Sequence, residues 1–152
     1  MNVFTKECIF LNTNYESRDQ LLQAVGEELL KQNRIEDIDT MQKEVMDREA
    51  QMSTYMGEGI AIPHCKSDNV LSSTVVLVRN KETIAWNEES EQTNLIFLLC
   101  VGGSQKGQLH LKILAKLASN LMDEDFIETM KQEENLDVLF GKLQTIEQDL
   151  EE

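Results

Sequence analysis

The sequence predicts an α/β domain in which a mixed central β-sheet is sandwiched between helices. Two apolar runs rich in β-branched residues, 74–79 and 94–101, have the length of strands and the character of central strands buried on both faces. Segments with helical periodicity lie on both sides of these runs, two before them and two or three after them. This order favours helices on both faces of one sheet.

The first part of the chain is predicted to form one strand and two helices. Residues 3–11 have a loose strand pattern. Ser17, followed three residues later by a glutamine, has the form of a capping box and opens the first helical pattern. A second helical pattern covers 38–52, with Asp37 or Asp39 as its cap. Two helices therefore precede the central strands.

The segment GEGIAIPH at 57–64 cannot form a long helix, because it holds two glycines and the only proline. Residues 60–62 are predicted to form a short strand that leads into a turn at Pro63 and His64. Between the central strands, residues 80–93 are predicted to make a hairpin-like excursion, which favours a mixed sheet over a parallel one.

The last third of the chain is predicted to be helical. Apolar periodicity covers 108–121, a shorter pattern covers 126–130, and a last one covers 136–143. The tail 147–152 is predicted to fray. With 152 residues, the chain fits a single domain over 1–152, with its core at about 3–143.

Composition and charge exclude several classes of protein. The net charge of −14 disfavours binding to nucleic acid and to anionic membrane surfaces. The N-terminus MNVFTKECIF has none of the features of a signal peptide, and the longest apolar run, 95–101, is far shorter than the roughly 18–20 residues that cross a bilayer. We therefore expect a cytoplasmic protein without membrane insertion.

The three cysteines, Cys8, Cys65 and Cys100, are odd in number and match no zinc spacing. In a reducing compartment they are most simply free thiols. Neither a metal nor another cofactor is expected.

The two histidines of the chain, His64 and His110, are the first candidates for chemistry. His64 follows a proline after a short apolar strand, in a segment whose glycines permit close approach of a ligand. His110 lies near the start of a predicted helix, where backbone amides favour negative charge. The two imidazoles either face one pocket, or are a surface residue and a helix cap; their spacing leaves both interpretations open.

A specific combination of motifs then identifies a family. Arg48-Glu49, followed by GEGIAIPH at 57–64 and by a helix that opens with His110-Leu111, resembles the enzyme IIA domain of the fructose/mannitol class. This class belongs to the phosphoenolpyruvate-dependent sugar phosphotransferase system. The resemblance covers nearly the whole chain and implies the phosphotransferase/anion-transport-like fold, a mixed sheet between helices.

The resemblance also implies roles for residues. His64 matches the phosphorylated histidine, which takes a phosphoryl group from phospho-HPr and passes it to a cysteine of enzyme IIB. Arg48 and His110 match the arginine and the second histidine beside it. A guanidinium presents a planar fork of donors suited to phosphate oxygens. Enzyme IIB and the membrane component IIC, which mainly determines the sugar, are expected as separate chains.

Glu49 and Cys65 have weaker claims to a role. Glu49 is expected to bind a local backbone group or to orient Arg48, because a carboxylate close to a phosphoryl group repels it. Cys65 adjoins His64, but neighbouring residues in an extended segment point apart, which argues against a Cys–His nucleophile. Without the motif, an exposed ion pair of Arg48 with Glu44 or Glu49 is the simpler interpretation.

Two other functions remain as alternatives. A regulatory enzyme IIA of the nitrogen-related type has the same motif and would bind a kinase or a transporter according to its phosphorylation. A metal-dependent hydrolase would use both histidines, but no carboxylate stands at ligand spacing from them.

Overall fold

The structure is a computed structural model that describes residues 3–103 and 108–151; the side chains of 108–110, 150 and 151 lie outside the description. Its elements in chain order are a 3₁₀ helix (Lys6–Cys8), β1 (Ile9–Thr13), α1 (Arg18–Lys31), α2 (Ile38–Gln51), β2 (Tyr55–Gly57), β3 (Ile60–Ala61), β4 (His64–Ser67), β5 (Thr74–Ala85), β6 (Gln92–Gly102), α3 (Gln108–Asn120), α4 (Glu124–Gln132) and α5 (Leu136–Glu151). None of the described helices is long and apolar enough to cross a membrane.

The six described strands form one mixed sheet; five of them follow the order β1-β5-β6-β3-β2, and β4 also pairs with β6. The two long strands β5 and β6 are antiparallel and make the hairpin that the sequence predicts across 80–93. The strands β1 and β5 are parallel, and β3 and β4 pair one after the other with the free edge of β6, both parallel to it. The edge of β6 is therefore shared by two short strands, which are separated by Ile62 and Pro63.

Apolar cores fill both faces of the sheet. Successive side chains of a strand point to opposite faces, so β5 and β6 contribute to both cores. The first core packs helices α1 and α2 against the sheet and includes Leu22, Val25, Met41, Val45, Val76, Val78, Ile96 and Leu98. The second packs α3, α4 and α5 against the other face and includes Val75, Leu77, Phe97, Leu99, Ile113, Leu117, Met130 and Leu143. The predicted sandwich is thus confirmed.

Helix caps explain where the first two helices begin. The Ser17 side chain accepts a hydrogen bond from the backbone N–H of Gln20 at the start of α1. The Asp37 carboxylate accepts from the N–H of Thr40 at the start of α2, so Asp37 and not Asp39 is the cap. Both bonds satisfy backbone donors that have no partner within the helix.

Three details of the sequence prediction are wrong. The first strand starts at Ile9, after a 3₁₀ helix, and not at residue 3. Two strands were not predicted, β2 and β4, and His64 begins β4 where a turn was predicted. Helix α5 continues to Glu151, and within it Glu147 accepts the backbone N–H groups of Val3 and Phe4, so 147–151 extend the helix where fraying was predicted.

Candidate functional site

The last turn of helix α2 presents Arg48 to the start of strand β4. Met41, Val45 and Glu49, at spacings of four, are the buried residues of α2 and face the sheet. Residues one apart on a helix point about 100° apart around its axis, so Arg48 points away from that core. It lies on the side of α2 next to β4, and the packing of α2 on β4 fixes this arrangement.

His64 is placed by its strand. In β4 it lies opposite Leu99 of β6, and the Leu99 N–H donates to the carbonyl of Pro63 at 2.9 Å. The proline has no N–H to offer the sheet, and it separates β3 from β4 along the same edge. The local sequence Ile62-Pro63-His64 therefore fixes the backbone that carries the imidazole.

Both nitrogens of the His64 ring are engaged. Nδ1 lies 3.1 Å from the carbonyl oxygen of Ile62, which can only accept, so Nδ1 carries the proton. Nε2 accepts a hydrogen bond from Nε–H of Arg48 at 3.1 Å, as a nitrogen with a lone pair does. The Arg48 Nη1 group donates to the carbonyl oxygen of Met52 at 2.7 Å. One neutral tautomer, with the lone pair on Nε2, follows from these contacts.

The surroundings lower the pKa of His64 below its ordinary value of 6.5. Burial of the ring is the largest cause, since it disfavours the charged form, and the positive charge of Arg48 acts in the same direction. The hydrogen bond to Ile62 and the charge of Glu49 oppose these effects but do not outweigh them. The imidazole is therefore neutral at pH 7 and keeps a nucleophilic lone pair.

A surface hollow of about 310 Å³ opens beside the pair, lined by Glu44, Asp47, Arg48, Gln51, His64, Cys65 and Lys66. His64 exposes 7% of its surface, and among the described residues the hollow gives a reacting group access to the ring. A somewhat larger hollow of about 370 Å³ lies by Arg18, Ser53 and Asn87 but has no histidine in its lining. The chemistry points to the smaller one.

Glu49 makes the contact expected for the first of its two roles, a hydrogen bond from a local backbone group. Its carboxylate accepts the backbone N–H and the hydroxyl of Thr54 and the indole N–H of Trp86, at 3.1 Å for the backbone contact and 3.0 Å for the indole. Among the described residues its hydrogen bonds do not go to Arg48. The exposed ion pair of Arg48 with Glu44 or Glu49 is likewise not formed in the described part of the chain, because Arg48 donates to His64 and Met52.

His110 lies in the first turn of α3, as predicted, but its side chain falls outside the described residues. Cys65 is buried in the first core opposite Cys100, and it also lines the hollow beside His64. Gly57 and Gly59 have φ of +97° and +80° and form the turn between β2 and β3, a backbone conformation that favours glycine.

Sequence reasoning does not find Thr54 and Trp86, which donate hydrogen bonds to Glu49, the residue after Arg48. The only signal was composition, since Trp86 is the single tryptophan and a buried indole N–H needs an acceptor. Within the described part of the chain, no group of three or more His, Cys, Asp or Glu side chains is placed to hold a metal ion.

The arrangement defines a class of site. A neutral imidazole that lines a surface hollow, with a guanidinium in contact with its Nε2, combines a nitrogen nucleophile with a donor group for oxyanions. This combination, carried on an α/β sandwich, suits a histidine that accepts a phosphoryl group.

The chain belongs to the family described as "Phosphoenolpyruvate-dependent sugar phosphotransferase system, EIIA 2", whose model matches residues 2–144. It is 29% identical over 133 residues to the mannitol-specific phosphotransferase enzyme IIA component of Staphylococcus aureus, with 86% of this chain and 87% of that protein covered. The predicted resemblance to the fructose/mannitol class is confirmed.

Larger relatives contain a similar region. Multiphosphoryl transfer protein 2 of Escherichia coli is 29% identical over 140 residues, which cover 92% of this chain but only 17% of that protein. Multiphosphoryl transfer protein 1 of the same organism is 28% identical over 124 residues, which cover 82% of this chain and 15% of that protein. This chain thus spans less than a fifth of the length of these relatives.

Solved structures share the fold. The crystal structure of IIA mannitol from Escherichia coli superposes with a TM-score of 0.73 at 26% identity, covering 90% of this chain and 96% of that one. The complex of enzyme IIAMtl and phosphorylated enzyme IIBMtl from the same organism gives 0.74 at 26% identity, covering 91% and 96%. Nitrogen regulatory protein IIA-Ntr from Neisseria meningitidis gives 0.81 at 23% identity, covering 91% and 94%, and shows the fold alone.

Proposed function

We propose that this chain is a phosphoryl carrier of the sugar phosphotransferase system and that His64 holds the phosphoryl group on Nε2. The observation that carries the proposal is the contact of Arg48 Nε–H with His64 Nε2 beside an open hollow. It fixes which nitrogen has the lone pair and supplies a cation next to it. Family membership supplies the reaction class.

The reaction needs one displacement at phosphorus. The Nε2 lone pair attacks the phosphorus of a donor phosphohistidine, the new N–P bond forms, and the electron pair of the breaking N–P bond returns to the donor imidazole. The proton on Nδ1 stays in place, held by the Ile62 carbonyl. Negative charge on the three equatorial oxygens requires stabilisation by positioned donors.

Arg48 has two successive tasks in this scheme. Its Nε–H occupies the Nε2 lone pair at rest, so the guanidinium has to move off that nitrogen before attack. The displaced guanidinium then has donors available for the phosphoryl oxygens, which offer it two-point binding. We assign a similar donor role to His110, on the family resemblance.

We propose HPr as the donor and a cysteine of an enzyme IIB, which works with a membrane enzyme IIC, as the acceptor. The structure of a related IIA with phosphorylated IIB supports the second partner. A cytoplasmic location is part of the proposal, and the three cysteines are free thiols, as is usual in a reducing compartment. The acidic surface argues against nucleic acid as a partner.

The test is phosphorylation in vitro with phosphoenolpyruvate and the carrier proteins. We expect one acid-labile, base-stable phosphate on the wild-type chain and none on His64→Ala. Asp39→Asn is the control, because Asp39 lies in the first turn of α2, outside the lining of the hollow, and this variant should still be labelled. Undiminished labelling of His64→Ala would disprove the proposal.

A second step separates transport from regulation. The phosphorylated chain is mixed with candidate enzyme IIB proteins, and loss of its label to a IIB cysteine supports a role in sugar or hexitol uptake. A phosphorylated chain that gives its label to no enzyme IIB would favour the regulatory alternative.

A further inference from the structure

A buried carboxylate stands directly behind the proposed site. Glu49 follows Arg48 in α2, exposes 8% of its surface, and accepts hydrogen bonds from the N–H of Thr54, the hydroxyl of Thr54 and the N–H of Trp86. Burial of a charge is costly unless donors surround it. Three donors converge on this one carboxylate, so its position is tightly defined.

Trp86 is itself held from several directions. Its side chain is fully buried, and its backbone N–H donates to the carbonyl of Glu91 at 2.9 Å across the hairpin of β5 and β6. The Arg18 guanidinium donates to the Trp86 carbonyl and lies 5.7 Å from the centroid of its ring. Trp86 is therefore held by contacts with the β5–β6 hairpin and with the start of α1. Through its hydrogen bond with the indole, Glu49 is attached to this well-fixed residue.

The end of α2 needs such a support. The helix ends at Gln51, two residues after Glu49, and the last carbonyls of a helix have no donor within it. In this last turn the Arg48 Nη1 group donates to the Met52 carbonyl. That bond links two residues at the end of the same helix, so it does not attach the helix end to the sheet. The contacts of Glu49 tie this turn to Thr54 and to Trp86, which follows strand β5; the other contact of the turn with the sheet is the Arg48–His64 bond itself.

We propose that Glu49, anchored by Trp86 and Thr54, is a positioning residue that aims Arg48 at His64. Since consecutive helical residues keep a fixed angle of about 100°, the fixed direction of Glu49 determines the direction of Arg48. Without the anchor, the last turn is less restrained, so the guanidinium is no longer held beside Nε2 at rest or, once it has moved off the lone pair, next to the phosphoryl oxygens. The expected effect on the rate of phosphorylation rests on the proposed phosphoryl-carrier function, whereas the placement of Arg48 by Glu49 does not depend on it.

The first measurement reads that geometry in the unphosphorylated full-length chain. In a ¹⁵N–¹H spectrum, the Arg48 Nε–H group should give a shifted, slowly exchanging signal because it is bonded to His64. Arg48→Lys removes the signal and so assigns it. In Glu49→Gln, which places an amide N–H₂ among three donors, we expect the signal to move to the position of solvent-exposed arginines.

The second measurement is the rate of phosphorylation by the phosphorylated carrier. Small misplacements of a positioning group cost up to about 100-fold, so Glu49→Gln should be slower by about 10- to 100-fold. Asp39→Asn is the matched control: it makes the same change of charge in the first turn of the same helix, and both readouts should stay as in the wild type.

Trp86→Phe keeps the Glu49 carboxylate and an aromatic ring at position 86 but removes the indole N–H donor. It tests the proposal by the same two measurements if Glu49→Gln does not fold. The proposal is overturned if folded variants, judged by circular dichroism, retain the wild-type Arg48 signal and rate. Because the signal needs no phosphoryl donor, a shifted signal together with persistent labelling of His64→Ala would refute only the proposed function.

Discussion

Replacement of Arg48 by glutamine removes two hydrogen bonds and one positive charge from the edge of the hollow. The bonds are Nε–H to His64 Nε2 at 3.1 Å and Nη1–H to the Met52 carbonyl at 2.7 Å. The side chain is only half-buried, and a hydrogen bond contributes about 0.5–1.5 kcal/mol to stability, so the variant should lose about 1–3 kcal/mol and remain folded.

The effect on phosphoryl transfer should be much larger than this. Removal of one donor aimed at developing charge costs about 10²–10³ in rate, or about 2.7–4 kcal/mol of transition-state stabilisation. Arg48→Lys should recover only part of this, because a single ammonium cannot replace a planar fork. The assay is single-turnover phosphorylation of the chain by the phosphorylated carrier, with labelled phosphate measured over time.

Lys6→Gln is the control, because it makes the same change of charge, and Lys6 pairs with Asp137, neither of which lines the hollow. Its rate should stay at the wild-type level. A rate for Arg48→Gln that equals that of Lys6→Gln would refute the assignment of Arg48. The pKa of His64 gives a second check, since it should rise in Arg48→Gln when the guanidinium that lowers it is gone.

Three more predictions concern titration, thiols and the core. Because the pKa of His64 is lowered, an NMR titration of His64 should give a midpoint below 6.5, and a midpoint above 6.5 would contradict this. Phosphorylation should slow as the pH falls through that midpoint, since protonation removes the lone pair. All three cysteines are buried, so a thiol reagent should react with them quickly only after denaturation, and fast labelling of the native chain would show a different core. Phe97→Ala should lower the free energy of unfolding by about 3–5 kcal/mol in urea denaturation, because the ring is fully buried between sheet and helices; a much smaller loss would show that it is not packed there.

The parts of the fold that the sequence predicts are those with strong local signals. The capping residues Ser17 and Asp37 mark helix starts through bonds to residues only three positions away. The unbroken apolar runs of β5 and β6 reveal central strands, since a sheet covered on both faces needs apolar side chains on both. These signals are local or periodic, and single-sequence reasoning can read them.

The two missed strands lack such signals. Strand β2 has three residues and β4 has four, too few for a polar alternation to show. They exist because β3 and β6 present unpaired backbone groups to them, which is a property of the tertiary structure. The same applies to the tail, where the anchoring of Glu147 to Val3 joins residues 144 positions apart.

The site shows the same division. The residues alone make His64 a candidate, and the family motif adds Arg48, because no periodic pattern reveals that a helix end and a strand start 16 residues later make contact. The contact of Glu49 with Trp86 spans 37 residues and belongs to no such motif. Only the assembled structure brings these two together.

Trp86 also has a practical consequence. As the single tryptophan of the chain, it is the only source of indole emission, and its ring nitrogen is bonded to the neighbour of Arg48. A change in tryptophan fluorescence during turnover would therefore arise from one known fluorophore, which lies behind the proposed site at His64. Stopped-flow fluorescence could follow this change in real time without a label and without a substitution in the chain.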